Sequence, residues 1–347
     1  MITAWLAFVA LFVVLLALDL GVFHRRPHVV SVREALGWSA VWIALGLAFS
    51  GVVYVAYERH WAGLGTAVDA VDGTVNTGIT AVEKYLTGYV VEKSLSIDNI
   101  FVIAMIFSSL AIPAVHQHRV LFWGVLGALV MRGGMIVVGA ALIARFHWIL
   151  WVFAAILIVT GLRMLVARHA DESPAPGLLL HLLRRLFPVA DDAGSDRFLV
   201  RRSSAAGVGG WALTPLALAL LLVEGADLVF AVDSIPAIFA ITADPFLVFT
   251  SNVFAMLGLR SLFFALAGIV RSFRYLKPAL ALVLVVVGTK MLAAEQLRHL
   301  LGDHFNLGLL AVVAGIIAGG IGLSIRADRR EKGAWGDVPT TPLATEA

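Results

Sequence analysis

Residues 223–239 read VEGADLVFAVDSIPAIF. Glu224, Asp227 and Asp233 interrupt a run that is otherwise apolar and of helical length. A charged side chain at the centre of a membrane helix costs roughly 2.5–3.5 kcal/mol on insertion scales. Three in one helix must be offset by partners elsewhere in the chain. The composition around this run puts it in a bilayer. Of 347 residues, 60% are hydrophobic and 14% charged, and the mean hydropathy is +0.93. A soluble domain is nearer half apolar and a quarter charged.

Nine runs of spanning length stand out, at 2–23, 38–57, 84–111, 119–143, 147–166, 212–240, 246–270, 278–297 and 307–325. The first has no basic n-region and reads as a retained helix. One set of connections carries Arg25, Arg26, Arg33, Arg119, Arg163, Arg168, Arg184, Arg185, Arg197, Arg201, Arg202, Arg271, Arg274 and Lys277, and the tail adds Arg326, Arg329, Arg330 and Lys332. The opposite set has only Arg59, Lys84, Arg145 and Arg298. Under the positive-inside rule this predicts an N-terminus outside and a cytoplasmic C-terminus, in the inner (plasma) membrane. The pI near 9.4 reflects those loop cations, not a nucleic-acid partner. With no cysteine, disulfides, thiolate metal sites and cysteine nucleophiles are excluded.

The third to fifth runs resemble the sixth to eighth. SIDNIFVIAMIF (96–107) aligns with AVDSIPAIFAIT (231–242), so Asp98 and Asn99 fall on Asp233 and Ser234, and Glu92 falls on Asp227. GALVMRGGMIVVGA (127–140) aligns with FAMLGLRSLFFALAG (254–268), placing Arg132 on Arg260, and IVTGLRMLVA (158–167) aligns with VVVGTKMLAA (285–294), placing Arg163 on Lys290. Units of three helices enter the membrane from opposite sides. Inverted repeats of that kind characterise secondary transporters, whose ion site lies at the repeat interface near the midplane.

Glu92, Ser96 and Asn99 are spaced i, i+4, i+7 and share a helical face, with Asp98 flanking it. On the second acidic helix Glu224, Asp227 and Ser234 share a face, with Asp233 beside it. Pro236 removes a backbone hydrogen bond there and predicts a bend whose freed carbonyls can serve a cation. Two answers to the cost of these acids stand side by side. A hard divalent cation suits carboxylate, amide and hydroxyl oxygens; its first ligands would be Asp98, Asn99, Asp233 and Ser234, with Glu92, Asp227 and Glu224 near. Internal pairing would use Arg132, Arg260, Lys290 and Lys93, with the arginines permanently charged. Elsewhere, His116 and His118 read as solvated in a short loop, and His147 and His304 as interfacial. DDAGSD (191–196) reads as a turn, GLLLHLLRRLF (177–187) as a short interfacial helix, and the tryptophans at 38, 42, 61, 123, 148, 151 and 211 as an aromatic belt. The glycines of AVVAGIIAGGIGL (311–323) read as close helix packing.

The run TPLALALLLVEGADLVFAVDSIPAIFAITADPFLVFTSNVFAMLGLRSLFFAL (214–266), with VVEKSLSIDNIFVIAMIF (90–107), closely resembles the TerC family of integral membrane proteins. The resemblance covers roughly residues 5–325. It implies Mn²⁺ handling and export from the cytoplasm, a link in some members to metalation of secreted metalloenzymes, a name derived from tellurium resistance, and the three-plus-three inverted repeat of LysE-type transporters.

The expectation is an all-α polytopic membrane protein. Residues 1–83 hold two helices and an outer loop, 84–166 the first repeat unit, 167–210 a cytoplasmic loop, 211–297 the second unit, 298–326 the last helix and 327–347 a disordered tail. The function expected is non-enzymatic export of a divalent cation, Mn²⁺ with Ca²⁺ as the ligand-equivalent alternative, in a lipid bilayer, with a homo-oligomer compatible. A membrane scaffold for tellurite resistance and an intramembrane metal-dependent enzyme are the rival readings.

Overall fold

The computed structural model describes residues 1–21, 31–166, 175–190, 197–201, 210–266, 275–293 and 305–336. The turn expected at 191–196, His304, the tail beyond 336 and several loop arginines lie outside them. The described chain is helical throughout except for one small sheet. Its helices are α1 (Ile2–Gly21), α2 (Val32–Glu58), α3 (Gly78–Ser109), α4 (Ala114–Arg145), α5 (Ile149–Val166), α6 (Ala175–Leu186), α7 (Pro215–Phe239), α8 (Pro245–Met256), α9 (Leu259–Leu266), α10 (Leu276–Leu292) and α11 (Phe305–Gly336). By length and composition six segments can cross a membrane: 32–58, 114–145, 149–166, 215–239, 245–266 and 306–328. Ile2–Leu18 is a shorter apolar helix. α3 is 32 residues long but carries Glu83, Lys84, Glu92, Lys93 and Asp98, and α10 has 17 residues. Large apolar side chains face outward, such as Val130, Val137 and Val138 on α4 and Val229 and Val232 on α7. Exposure on that scale requires an apolar surround.

Local chemistry sets the helix starts. Thr77 and Thr80 form a capping box on α3. Thr214 accepts from the Ala217 amide ahead of α7, with Pro215 in its first turn. Asp244 does the same for α8, ahead of Pro245. These caps satisfy amides that have no partner within the helix.

Four sequence expectations are corrected, those on Trp42, on His116 and His118, on the tail after 326 and on the glycines of 311–323. α7 runs unbroken through Pro236, where a bend is expected, and ends at Phe239; a non-helical break lies in the next segment, at Leu257 and Gly258, where Gly258 has φ +79. That left-handed turn favours glycine, and a Cβ there would sit 2.6 Å from the Trp42 side chain. Trp42 is accordingly buried and is no part of an aromatic belt. His116 and His118 belong to the first turns of α4, not to a loop. α11 continues to Gly336, so 327–336 is helical: ADRREKGAW contains mostly good helix formers, and polarity alone does not end a helix. Of the glycines in 311–323, only Gly320 meets a neighbour, on α10; Gly315, Gly319 and Gly322 meet none within 4 Å.

In the connection before α7, α6 confirms the short helix expected at 177–187. Leu180 and Leu183 pack on the core around Leu218 and Leu222. Unexpectedly, Leu199–Arg201 pairs antiparallel with Trp211–Leu213, and Arg119 covers the Phe198 ring at 5.1 Å.

The helices interlock in a reciprocal pattern. α5 lies along α10, α3 lies against α8, and α4 lies against α7. Two glycines sit in the contact between α5 and α10. A Cβ on Gly161 would stand 2.7 Å from the Ala281 carbonyl, and one on Gly288 would stand 3.0 Å from the Ala154 carbonyl. Gly161→Ala is therefore expected to destabilise the protein by about 1–3 kcal/mol through overpacking. Gly134→Ala, with nothing within 4 Å of its Cβ, is expected to be neutral or stabilising by about 0.5–1 kcal/mol. Thermal unfolding of the two variants in detergent checks the contrast; equal melting points would remove the packing argument.

Candidate ion site

The centre of the molecule is a guanidinium surrounded by oxygens. Arg132 on α4 is 2% exposed. Its Nε donates to Asp227 Oδ2 at 3.1 Å and its Nη2 to Asp227 Oδ1 at 2.9 Å, a two-pronged pair. Its Nη1 donates to Glu92 Oε1, to Ser234 Oγ at 3.2 Å and to Asn252 Oδ1 at 3.2 Å. Asn99 Nδ2 donates to Asp227 Oδ1 at 3.3 Å. Paired hydrogen bonds between ionised groups are the strong kind, and burial heightens them. With two carboxylates and one guanidinium, the cluster carries a formal charge of −1. Asp227 is the thirteenth of the 25 residues of α7, half-way along the helix. Glu92 Oε2 is buried without a hydrogen-bond partner.

The periodicity explains which acids arrive. Glu92 and Asn99 share a face of α3 and both reach the cluster; Asp227 and Ser234 do so from α7. Asp98 and Asp233 are one residue off those faces, a rotation of about 100° in an α-helix, and they point elsewhere. Asp98 is half-buried and feels the charge of Lys277 at the start of α10. Asp233 accepts from Thr160 Oγ1 on α5 at 3.0 Å. The four ligands expected first therefore do not gather at one point: Asn99 and Ser234 sit at Arg132, while Asp98 and Asp233 face outer partners. Glu224 lies about one turn before Asp227, against Gly127 of α4, where a Cβ would overlap its carboxyl group. Ser96 is on the right face, but its hydroxyl donates to the Glu92 carbonyl at 2.8 Å within its own helix. Arg260 is buried on α9. Among the described residues, no three acidic or histidine side chains converge as a metal-binding group.

The lysines have a different use from the one expected. Lys93 donates to the carbonyls of Ala255 and Leu257 at 3.0 and 3.2 Å, satisfying carbonyls at the buried end of α8 at the break. Lys290 donates to the Ala240 carbonyl at 3.2 Å just beyond α7 and also feels the charges of Asp69 and Asp72. Cations at helix C-termini satisfy free carbonyls and oppose the helix dipole.

Asn252 escaped the sequence reading, although SN inside an apolar run was a signal. A second polar network had no signal in any one segment. It closes the end of α7 remote from 167–210. Lys84 Nζ contacts Asp69 Oδ2 at 2.9 Å and Asp72 Oδ2 at 2.7 Å, with side chains at most 5% exposed, and it donates to Asn76 Oδ1 at 2.6 Å. Asp69 also accepts from Thr242 Oγ1, from the Ala243 amide at 2.9 Å and from the Val71 amide at 3.0 Å. Tyr57 donates to Asp244 Oδ2 at 2.8 Å. Loop 64–77 is thus latched onto the α7–α8 turn. Burial pushes the Asp69 carboxyl up, but Lys84 and the donors from Thr242 and Val71 outweigh it and hold it below its ordinary value. Asp244 is pushed up, chiefly by burial.

A cavity of about 20 Å³ borders Asp227 and Asn99, lined also by Gly124, Ala128 and Phe230. It accommodates about one water, not a hydrated divalent ion.

The family model described as integral membrane protein TerC family matches residues 77–332. An uncharacterized membrane protein of Myxococcus xanthus, STKORF319, is 45% identical over 335 residues, 96% of each chain. Alx of Escherichia coli strain K12, named a candidate membrane-bound redox modulator, is 42% identical over 292 residues, 84% of this chain and 86% of its own. A membrane protein of Rickettsia bellii is 39% identical over 83% of this chain. No solved structure matches. With the match running from the cap of α3 into α11 and taking in Glu92, Arg132, Asp227 and Ser234, the chain belongs to the TerC family of integral membrane proteins.

Proposed function

We propose that this protein is a transporter, not an enzyme, and that it exports a divalent cation, Mn²⁺ first, from the cytoplasm across the inner membrane. The observation that carries the reading is the oxygen-rich cluster half-way along α7, where Glu92, Asn99, Asp227, Ser234 and Asn252 face one another from three helices. Intramembrane acids mark ion paths, and carboxylate, amide and hydroxyl oxygens are the donors of hard cations. Glu224 is the next acid along α7 towards 167–210, and in this reading it receives the ion from the cytoplasm. Asp98 and Asp233 then act as flanking acids that join on rearrangement.

Nine spans with the N-terminus outside, and two inverted three-helix units, belong to the same proposal. The packing of α5 on α10 through Gly161 and Gly288, which occupy matching places in the two units, supports it. So does the way α3 meets α8 as α4 meets α7, because a two-fold relation exchanges those pairs. The name of Alx raises a redox reading. This chain has no cysteine, so thiol exchange would have to reside in a partner.

The test is metal flux in proteoliposomes under challenge by Mn²⁺, Ca²⁺, Mg²⁺ and Zn²⁺, with and without a pH gradient. Wild type is compared with Glu92→Gln, Asp98→Asn and Asp233→Asn. Mn²⁺ flux in wild type, abolished by Glu92→Gln, is the expected result. Absence of flux for every metal would sink the reading and favour a scaffold acting through 167–210.

A further inference from the structure

Most of the oxygens this site offers a divalent cation are oxygens Arg132 already holds. Both Asp227 oxygens, Glu92 Oε1, Ser234 Oγ and Asn252 Oδ1 all receive its donors. A metal ion bound to the same set would stand within a few ångströms of the guanidinium. A divalent ion and a guanidinium a few ångströms apart repel strongly at the effective dielectric of a protein, twice as much as two single charges at the same separation. Arginine cannot relieve that repulsion by losing its proton. Metal and guanidinium therefore exclude each other physically.

We propose that Arg132 is a tethered counter-cation: its guanidinium occupies the acidic site when no cargo is bound, withdraws when the metal enters, and returns to drive the metal out. This rests on the transport reading and adds to it a residue that sets affinity and release. Three observations support it. The internal cation takes up both Asp227 oxygens, Glu92 Oε1, Ser234 Oγ and Asn252 Oδ1, while Glu92 Oε2 stays buried without a hydrogen-bond partner. The residues after Arg132 are Gly133 and Gly134; a Cβ at Gly133 would meet Phe249 at 3.1 Å, but nothing lies within 4 Å of one at Gly134, so packing does not demand glycine at 134, and glycine weakens a helix interior. The water-sized cavity beside Asp227 leaves no room for a hydrated ion next to the guanidinium.

Arg132→Ala separates this role from a scaffolding one. The measurement is Mn²⁺ binding to the full chain in lipid nanodiscs, followed by the electron paramagnetic resonance of free Mn²⁺, with and without millimolar guanidinium chloride. The parallel measurement is Mn²⁺ flux in proteoliposomes. Arg132→Ala is expected to bind Mn²⁺ more tightly than wild type, by on the order of tenfold or more, while its flux falls. Added guanidinium is expected to weaken Mn²⁺ binding by the variant and leave wild type unchanged. A scaffolding arginine gives the opposite sign: Arg132→Ala binds Mn²⁺ no better than wild type, and guanidinium strengthens or does not alter binding. Either result overturns the proposal. Should Arg132→Ala not fold, Arg132→Lys keeps the charge but cannot form the two-pronged contact. It is expected to bind Mn²⁺ several-fold more tightly than wild type, and affinity equal to wild type overturns the proposal. If wild type neither binds nor moves Mn²⁺, the transport reading itself has failed. If wild type does both and only the affinity and guanidinium effects are missing, the counter-cation alone has failed.

Discussion

Asp227→Asn is expected to abolish Mn²⁺ flux and to destabilise the fold by about 3–5 kcal/mol, the range for removing one partner of a buried ion pair. The variant keeps the size of the side chain. It replaces one acceptor oxygen with an amide donor that faces Arg132 Nε or Nη2, now 3.1 and 2.9 Å away. The guanidinium is left with Glu92 as its one charged partner in the cluster, beside a cavity of about 20 Å³. Asp98→Asn and Asp233→Asn are expected to cost far less stability, because both side chains are half-buried and Asp233 needs only to accept from Thr160. Thermal unfolding alongside flux distinguishes the two groups. If Asp227→Asn melts with wild type and carries Mn²⁺ at the wild-type rate, Asp227 is neither the anchor of Arg132 nor a ligand.

Lys84→Met should produce a comparable loss at neutral pH, about 3–5 kcal/mol, because Asp69 and Asp72 lose their shared buried cation. The pH dependence gives it a signature. In wild type the folded Asp69 pKa lies below its unfolded value. Its contribution is therefore present above the unfolded pKa of about 3.9 and lost as pH falls through the folded one. In Lys84→Met the largest opposing influence on burial is gone, and the folded pKa of Asp69 should rise above the unfolded one. The penalty then develops as pH rises from the unfolded to the folded pKa. The gap between variant and wild type should be widest at neutral pH and narrow in acid. Melting curves across that range test it; a gap that does not change with pH would mean that Asp69 stays charged without Lys84.

Much of this architecture is legible along the chain. The apolar runs, the caps at Thr77, Thr214 and Asp244, and the shared face of Glu92 and Asn99 depend on neighbours within one or two turns. The resemblance in sequence between 96–107 and 231–242 draws attention to the two helices that meet at Arg132. Local rules locate Pro236 as a lost hydrogen bond near the end of α7, and the helix stays continuous through it. The actual break at Gly258 follows from its fit against Trp42, more than two hundred residues earlier in the chain.

What the sequence by itself determined is that this chain lives in a membrane, folds as helices and carries acids that require cations. Which cation meets which acid was decided by the tertiary structure alone. Arg132 reaches Asp227 across 95 positions and Asn252 across 120, and Asp69 reaches Thr242 across 173. No periodicity encodes such pairings, because a buried charge takes whichever oppositely charged or polar groups helix packing brings within hydrogen-bond reach. The one-residue step from Asn99 to Asp98 then separates a side chain inside the site from one outside it.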